Sequence, residues 1–213
     1  MLDEQLRYYL NQTHPPKGEW VKELEEQAKT DHVPIMESVS MHFVMQIIRI
    51  SKPKRILEIG TAIGYSALRM LEANPNTSIV TIERDEVRYQ QALDNIQRLN
   101  KQHHIDVIYG DALEEISKLQ NTADPFDLIF IDAAKGQYKR FFELSVPLLS
   151  NNGLIITDNV LFRGYVANPE SSPKKYRNMV DKIKNYNDFL MSHSDFTTSI
   201  IPVGDGVALS YKT

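Results

Sequence analysis

Hydrophobic positions along the chain change rhythm near residue 55. Before it, from Leu2 to about Ile50, apolar side chains recur at helical spacing and are punctuated by Pro15-Pro16 and Pro34, which predicts two or three helices. After it, short β-rich runs alternate with amphipathic stretches. The runs cover residues 55–59, 78–83, 105–109, 126–132 and 153–158, and the stretches at 66–71, 86–99, 113–119 and 138–149 read as helices. Strands that alternate with helices need crossover connections, and these build a parallel sheet covered by helices. The end of the chain reads differently. Residues 199–203 and 207–211 flank Gly204-Asp205-Gly206, and Asp-Gly between two apolar runs is a hairpin signal. The expectation is an α/β fold: a mostly parallel seven-stranded sheet with a C-terminal antiparallel hairpin and N-terminal helices. No repeat, low-complexity tract or linker divides the chain. Residues 1–213 therefore read as a single domain, with 1–50 as a helical lid or dimer segment and 51–213 as the core.

Composition narrows the chemistry. A chain of 213 residues, 42% of them hydrophobic, buries one real core without covalent staples. Cysteine is absent, which excludes disulfides, thiolate metal sites and cysteine nucleophiles, so any metal must be held by oxygen or imidazole ligands. The first residues are charged, and no stretch approaches the roughly 18 apolar residues of a membrane span. A cytoplasmic protein with no membrane partner is expected. The net charge of -4 argues against nucleic acid over the whole surface, although local basic clusters can override the total.

The first strand runs into Glu58-Ile-Gly60-Thr-Ala-Ile-Gly64-Tyr-Ser66, which opens a helix. Glycines there let the backbone turn tightly and approach a ligand. A dinucleotide fingerprint would place glycine at 62, where this chain has Ala62, so a nicotinamide or flavin dinucleotide is disfavoured. Glu83 closes the second strand, where an acidic side chain can accept hydrogen bonds from two ribose hydroxyls. Gly110-Asp111-Ala112 closes the third, placed to reach an adenine ring.

Asp132 ends the fourth strand run and Asp158-Asn159 the fifth, so three oxygen donors converge at the carboxyl edge of the sheet. Two carboxylates and an amide suit magnesium, which retains sites for water and substrate oxygens. The alternative is that Asp158 and Asn159 only cap the turn that follows. Lys135, three residues after Asp132, becomes a base candidate beside a dication. The six histidines show no motif spacing, and no Ser-His-Asp arrangement can be assembled from them.

Several of these motifs together resemble one family. Pro34-Ile-Met36-Glu37, residues 57–66, Phe130-Ile-Asp132-Ala-Ala-Lys135, Thr157-Asp-Asn-Val160 and Pro202-Val-Gly-Asp-Gly206 are similar to the cation-dependent O-methyltransferases of the catechol and caffeoyl-CoA type. Within it, Asp31-His-Val-Pro-Ile-Met-Glu37, Ala134-Lys-Gly-Gln-Tyr138 and Asp158-Asn-Val-Leu-Phe162 most resemble the bacterial tRNA 5-hydroxyuridine methyltransferases. The resemblance implies a Rossmann-like class I methyltransferase fold with S-adenosylmethionine as cofactor and Mg2+ as metal. It implies Met36, Glu58, Gly60, Ser66, Glu83, Asp111, Ala112, Asp132 and Tyr138 around the cofactor, and Asp132, Asp158 and Asn159 around the metal. Lys135, with Asp132, would be catalytic. A homodimer is also implied.

The metal alone does not choose a substrate. Catechol has two adjacent oxygens, and so does 5-hydroxyuridine, whose C4 carbonyl neighbours its C5 hydroxyl. The resemblance implies the anticodon loop of tRNA as substrate, methylated to 5-methoxyuridine at the wobble position. Between residues 163 and 184 there are six basic side chains (Arg163, Lys174, Lys175, Arg177, Lys182, Lys184) against Glu170 and Asp181. That run either presents positive charge at the mouth of the site or forms an ordinary solvated helix face. Phe162, Tyr165 and Tyr176 are candidates for stacking an unpaired base. The alternatives are a small-molecule catechol or phenolic O-methyltransferase and a binding module that keeps the fold without catalysis.

Overall fold

The computed structural model describes residues 4–120 and 124–213. Three helices come first: α1 (Glu4–Thr13), α2 (Glu19–Thr30) and α3 (Ser38–Ser51). The alternating part follows as β1 (Arg55–Ile59), α4 (Tyr65–Ala73), β2 (Ser78–Glu83), α5 (Glu86–Arg98), β3 (Ile105–Tyr109), α6 (Ala112–Leu119), β4 (Phe126–Ile131), α7 (Tyr138–Ser145) and β5 (Leu149–Thr157). Helix α8 (Arg177–Met191) and the hairpin of β6 (Phe196–Ile201) and β7 (Val207–Lys212) complete the chain. The sheet has seven strands in the order β3-β2-β1-β4-β5-β7-β6. Pairings from β3 through β5 are parallel, and β7 runs antiparallel to both β5 and β6. The architecture expected from the alternating runs is the one observed.

Each central strand alternates apolar side chains between two buried layers. Ile56, Ile79, Leu128, Phe130 and Ile156 join the layer that holds α2, α3 and α4. Leu57, Ile59, Ile82, Ile129, Ile131 and Ile155 join the opposite layer with α6, α7 and α8. This two-sided burial is why the strands read as continuous apolar runs rather than strict alternations. Helix starts follow side-chain chemistry. The Asp85 carboxylate accepts from Arg88 N–H at 3.0 Å to open α5, and that of Asp111 accepts from Leu113 N–H at 2.8 Å to open α6.

Three boundaries differ from expectation, the first being β6, which starts at Phe196 rather than 199 and stops before Pro202. The helix expected over 138–149 stops at Ser145 and tightens into a single 3-10 turn, Val146–Leu148, because Pro147 brings no N–H to continue it. Strand β5 starts at Leu149 rather than 153. Leu149 pairs with Phe126, the register then shifts, and Leu154 resumes opposite Leu128. The polar Ser150-Asn151-Asn152 step hides this beginning, and Asn152 takes a left-handed φ of 61° there. Of the basic run at 163–184, Arg177, Lys182 and Lys184 lie on α8, while Arg163, Lys174 and Lys175 lie on the turns before it. Val180 and Ile183 turn inward from α8, while Lys182 and Lys184 stay exposed. Among the described residues, no helix is long and apolar enough to cross a membrane.

Candidate active site

The strand order reverses between β1 and β4, one half of the sheet continuing to β2 and β3 and the other to β5. Loops leaving adjacent strands diverge at such a point and open a crevice at the carboxyl ends. A cavity of about 360 Å³ lies there, walled by Met36, Gly60, Ser66, Glu83, Asp111, Ala112, Asp132, Lys135, Asp158 and Asn159. Almost all the expected site residues are thus brought together.

The glycine loop after β1 is shaped by close packing. Gly60 has φ +102°, and a Cβ on it would fall 2.2 Å from the carbonyl oxygen of Asp132. Glycine therefore lets the loop rest directly on the backbone leaving β4. Ala62 takes a left-handed φ of 48°, and its N–H donates to Glu83 Oε2 at 2.8 Å. Glu83 Oε1 accepts from the N–H groups of Arg84 and Asp85, each at 2.9 Å. One carboxylate therefore ties the glycine loop to the end of β2, and Oε2 keeps one lone pair for a hydroxyl donor in the cavity. Asp111 caps α6 and also lines the cavity, so the cap does not remove it from the site.

Two expected residues stand behind the wall instead of in it. Glu58 is fully buried beneath the loop. Its Oε1 accepts from Ser66 Oγ and its Oε2 from Thr81 Oγ1, both at 2.5 Å, and the Thr61 and Thr81 hydroxyls are 2.6 Å apart. Burial raises its pKa to about 8, against the opposing effect of the two hydroxyl hydrogen bonds. It is a neutral buttress at neutral pH. Tyr138 is buried in the layer under α7, packed against Tyr186, with its hydroxyl donating to the carbonyl of Asp158 at 2.9 Å. Phe141, one turn further along α7, reaches the cavity instead. Arg84, Arg88 and Gln137 also line it without having been singled out. Arg84 directly follows Glu83, so the strand-end rule that found Glu83 was the available signal.

The oxygen-donor group gathers around Asp158. Asp158 is 2% exposed, and its Oδ1 is buried with no hydrogen-bond partner. Asn159 Nδ2 donates to Asp158 Oδ2 at 3.0 Å, and Lys135 Nζ donates to Asn159 Oδ1. Burial, then the neighbouring Asp132 charge, pushes the Asp158 carboxyl well above the usual carboxylate range. Burial likewise raises Asp132, and Lys135 opposes that shift. Among the described residues no three His, Cys, Asp or Glu side chains gather as a metal cage. The expected donor set has two carboxylates and an amide.

Comparison with known proteins places the chain. The sequence profile of the O-methyltransferase family matches residues 12–213. A caffeoyl-CoA O-methyltransferase of Populus kitakamiensis is 32% identical over 220 residues, covering 97% of this chain and 92% of that protein. A solved Staphylococcus aureus protein, provisionally named a caffeoyl-CoA O-methyltransferase, is 36% identical with a TM-score of 0.90, covering 99% of this chain and 100% of that one. An O-methyltransferase from Bacillus cereus, solved with S-adenosylhomocysteine, is 26% identical with a TM-score of 0.86, over 97% and 96% of the two chains. The chain belongs to the O-methyltransferase family. Its class is the S-adenosylmethionine-dependent one of the caffeoyl-CoA type.

Proposed function

We propose that this chain transfers a methyl group from S-adenosylmethionine to one oxygen of an adjacent oxygen pair on a small catechol or related phenolic, with Mg2+ bound beside the acceptor. The observation that carries the cation is the Asp158 carboxylate, buried with Oδ1 unpartnered and set against Asp132 and Asn159. An unpartnered buried carboxylate oxygen next to a second carboxylate is costly unless a cation neutralises the pair. Hard oxygen donors are the set that Mg2+ takes. Asp132, Asp158 and Asn159 would hold it. When bound, it supplies a Lewis acid that favours the ionised form of a neighbouring hydroxyl.

Met36, Gly60, Ser66, Glu83, Asp111 and Ala112 would bind the cofactor, with Glu83 offering the remaining lone pair of Oε2 to a ribose hydroxyl. The cofactor supplies a methyl group on a sulfonium sulfur. Lys135 Nζ, held at Asn159, would accept the proton of the acceptor hydroxyl as its oxygen bonds to the methyl carbon and the carbon–sulfur bond breaks. The segments leaving β1 and β4, which line the cavity, would exclude water and hold both reactants in line.

The relatives named for caffeoyl-CoA, whose caffeoyl group is a catechol, support the small-molecule reading. A second reading, 5-hydroxyuridine in the tRNA anticodon loop, is favoured by one observation. Lys174, Lys175, Arg177 and Lys184 are exposed. The Lys182 ammonium also comes within 3.5 Å of the position a Cβ on Gly136 would take, beside Lys135. The purified chain with S-adenosylmethionine and Mg2+, given caffeic acid and separately tRNA carrying 5-hydroxyuridine, decides between them by product mass spectrometry. The first reading expects a methylated catechol. Formation of 5-methoxyuridine with untouched catechol would transfer the assignment to tRNA, and product from neither would overturn both.

A further inference from the structure

The Gly204-Asp205-Gly206 turn between β6 and β7 does more than reverse the chain. It grips the segment that leaves β5, in which the candidate cation ligands lie. The carbonyls of Gly206 and Asp205 accept from Val160 and Leu161 N–H, each at 3.0 Å, and the Asp205 carboxylate accepts from Arg163 N–H. The turn is packed tightly on two sides. A Cβ on Gly206 would lie 2.4 Å from Leu161 Cγ, and one on Gly204 would lie 1.9 Å from Ser40 Oγ on α3, four residues after Met36. The turn is therefore wedged between the segment carrying Asp158 and Asn159 and the helix that begins beside the cofactor wall.

The gripped segment has an uncommon backbone. Asn159, Phe162 and Arg163 have φ of 59°, 42° and 57°, all left-handed. Asn tolerates that region, whereas Phe and Arg hold it only when their surroundings impose it. The impositions can be named. Tyr138 and Asn187 hold the carbonyls of Asp158 and Val160 at 2.9 and 2.8 Å, and Asp205 supplies two of the acceptors on the N–H side. The conformation matters because Asn159 must turn its side chain back toward Asp158 and Lys135.

We propose that Asp205 is a positioning residue for the candidate cation site: its carboxylate fixes the left-handed bend at Arg163, and the bend fixes Asn159 where it can serve as a ligand. This rests on the cation reading given above. It assigns the Gly-Asp-Gly turn a task in the reaction without contact with substrate.

The test is direct titration with Mn2+, followed calorimetrically, on the full chain and its Asp205→Ala and Asp205→Asn variants, with S-adenosylmethionine affinity measured alongside. Asp205→Ala should weaken Mn2+ binding by about 10- to 100-fold, the usual loss when an outer partner of a ligand is removed. Cofactor affinity should hold within about twofold, since Asp205 is not among the residues that line the cavity. Asp205→Asn retains an oxygen acceptor for Arg163 N–H and should keep Mn2+ affinity within a few fold. Adding Arg163→Gly to Asp205→Ala gives the bend a residue that takes left-handed φ freely, so this pair should fold and recover part of the lost affinity. Unchanged Mn2+ binding in Asp205→Ala, an equal loss in Asp205→Asn, or no recovery in the double variant would each overturn the proposal. Absence of Mn2+ binding by the wild-type chain would overturn the cation reading and this inference with it.

Discussion

Glu58→Gln tests whether the glycine loop stands on a neutral carboxyl. Glu58 is fully buried under hydroxyl groups of Ser66 and Thr81, and burial raises its pKa from 4.5 to about 8. The folded chain keeps this proton up to about pH 8, whereas the unfolded chain releases it near 4.5. The unfolded state therefore gains from ionisation throughout that window. The stability tied to the proton is complete below about pH 4.5 and is lost as pH rises through about 8. Each pH unit inside the window costs about 1.4 kcal/mol, so from pH 6 to pH 8 the carboxyl alone removes about 2 to 3 kcal/mol. For a domain of this size that corresponds to a fall of about 5 to 10 °C in Tm. Glutamine offers one acceptor and one donor to the same two hydroxyls, and it does not ionise. Thermal unfolding of the cofactor-free chain at pH 6, 7 and 8 reads the difference. Asp132 and Asp158 also have raised values, so both proteins will lose stability as pH rises, and Glu58→Gln should lose less. Parallel decline of the two proteins, with no divergence in Tm, would refute the assignment of a neutral Glu58.

Three further outcomes follow from the same geometry. Gly60→Ala places a Cβ against the Asp132 carbonyl at a left-handed φ, and should cost about 2 to 4 kcal/mol in urea unfolding together with weaker cofactor binding. Lys135→Met should lower kcat by about 10²- to 10⁴-fold, the span of a lost general base, while calorimetry shows cofactor affinity little changed. Replacing Lys174, Lys175 and Arg177 together with Ala should leave kcat/KM for a catechol within about twofold, because exposed side chains outside the cavity wall contribute little to a small substrate. In the tRNA reading the same triple variant loses RNA affinity in a salt-dependent manner, which filter binding at two ionic strengths detects.

The central parallel strands were legible because burial on both faces makes them rich in Ile, Leu, Val and Phe. Asp132, Asp158 and Asn159 were legible for a related reason: polar residues that end such runs have one place to go, the carboxyl edge of the sheet. The beginning of β5 was hidden, since Ser150-Asn151-Asn152 carries the chain through a register shift that periodicity cannot express. Glu58 and Tyr138 were attached to the cofactor by motif, and the fold sets both behind the wall, one under Ser66 and the other under Asp158. Tyr138 and Phe141 share α7, and the motif does not say which of them packs inward: Tyr138 goes against Tyr186 and the Asp158 carbonyl, and Phe141 reaches the cavity. The second task of the Gly204-Asp205-Gly206 turn was invisible as well, because its partners Ser40, Leu161 and Arg163 are distant in sequence from it.

The central claim is methyl transfer to an oxygen that has an oxygen neighbour, with a cation held by Asp132, Asp158 and Asn159. Its most direct measurement is transfer of labelled methyl from S-adenosylmethionine to catechol and to phenol, in Mg2+ and in EDTA. The account predicts labelled product from catechol in Mg2+, with little from phenol and little from either in EDTA. Transfer that persists undiminished in EDTA, or that proceeds equally well to phenol, would contradict it.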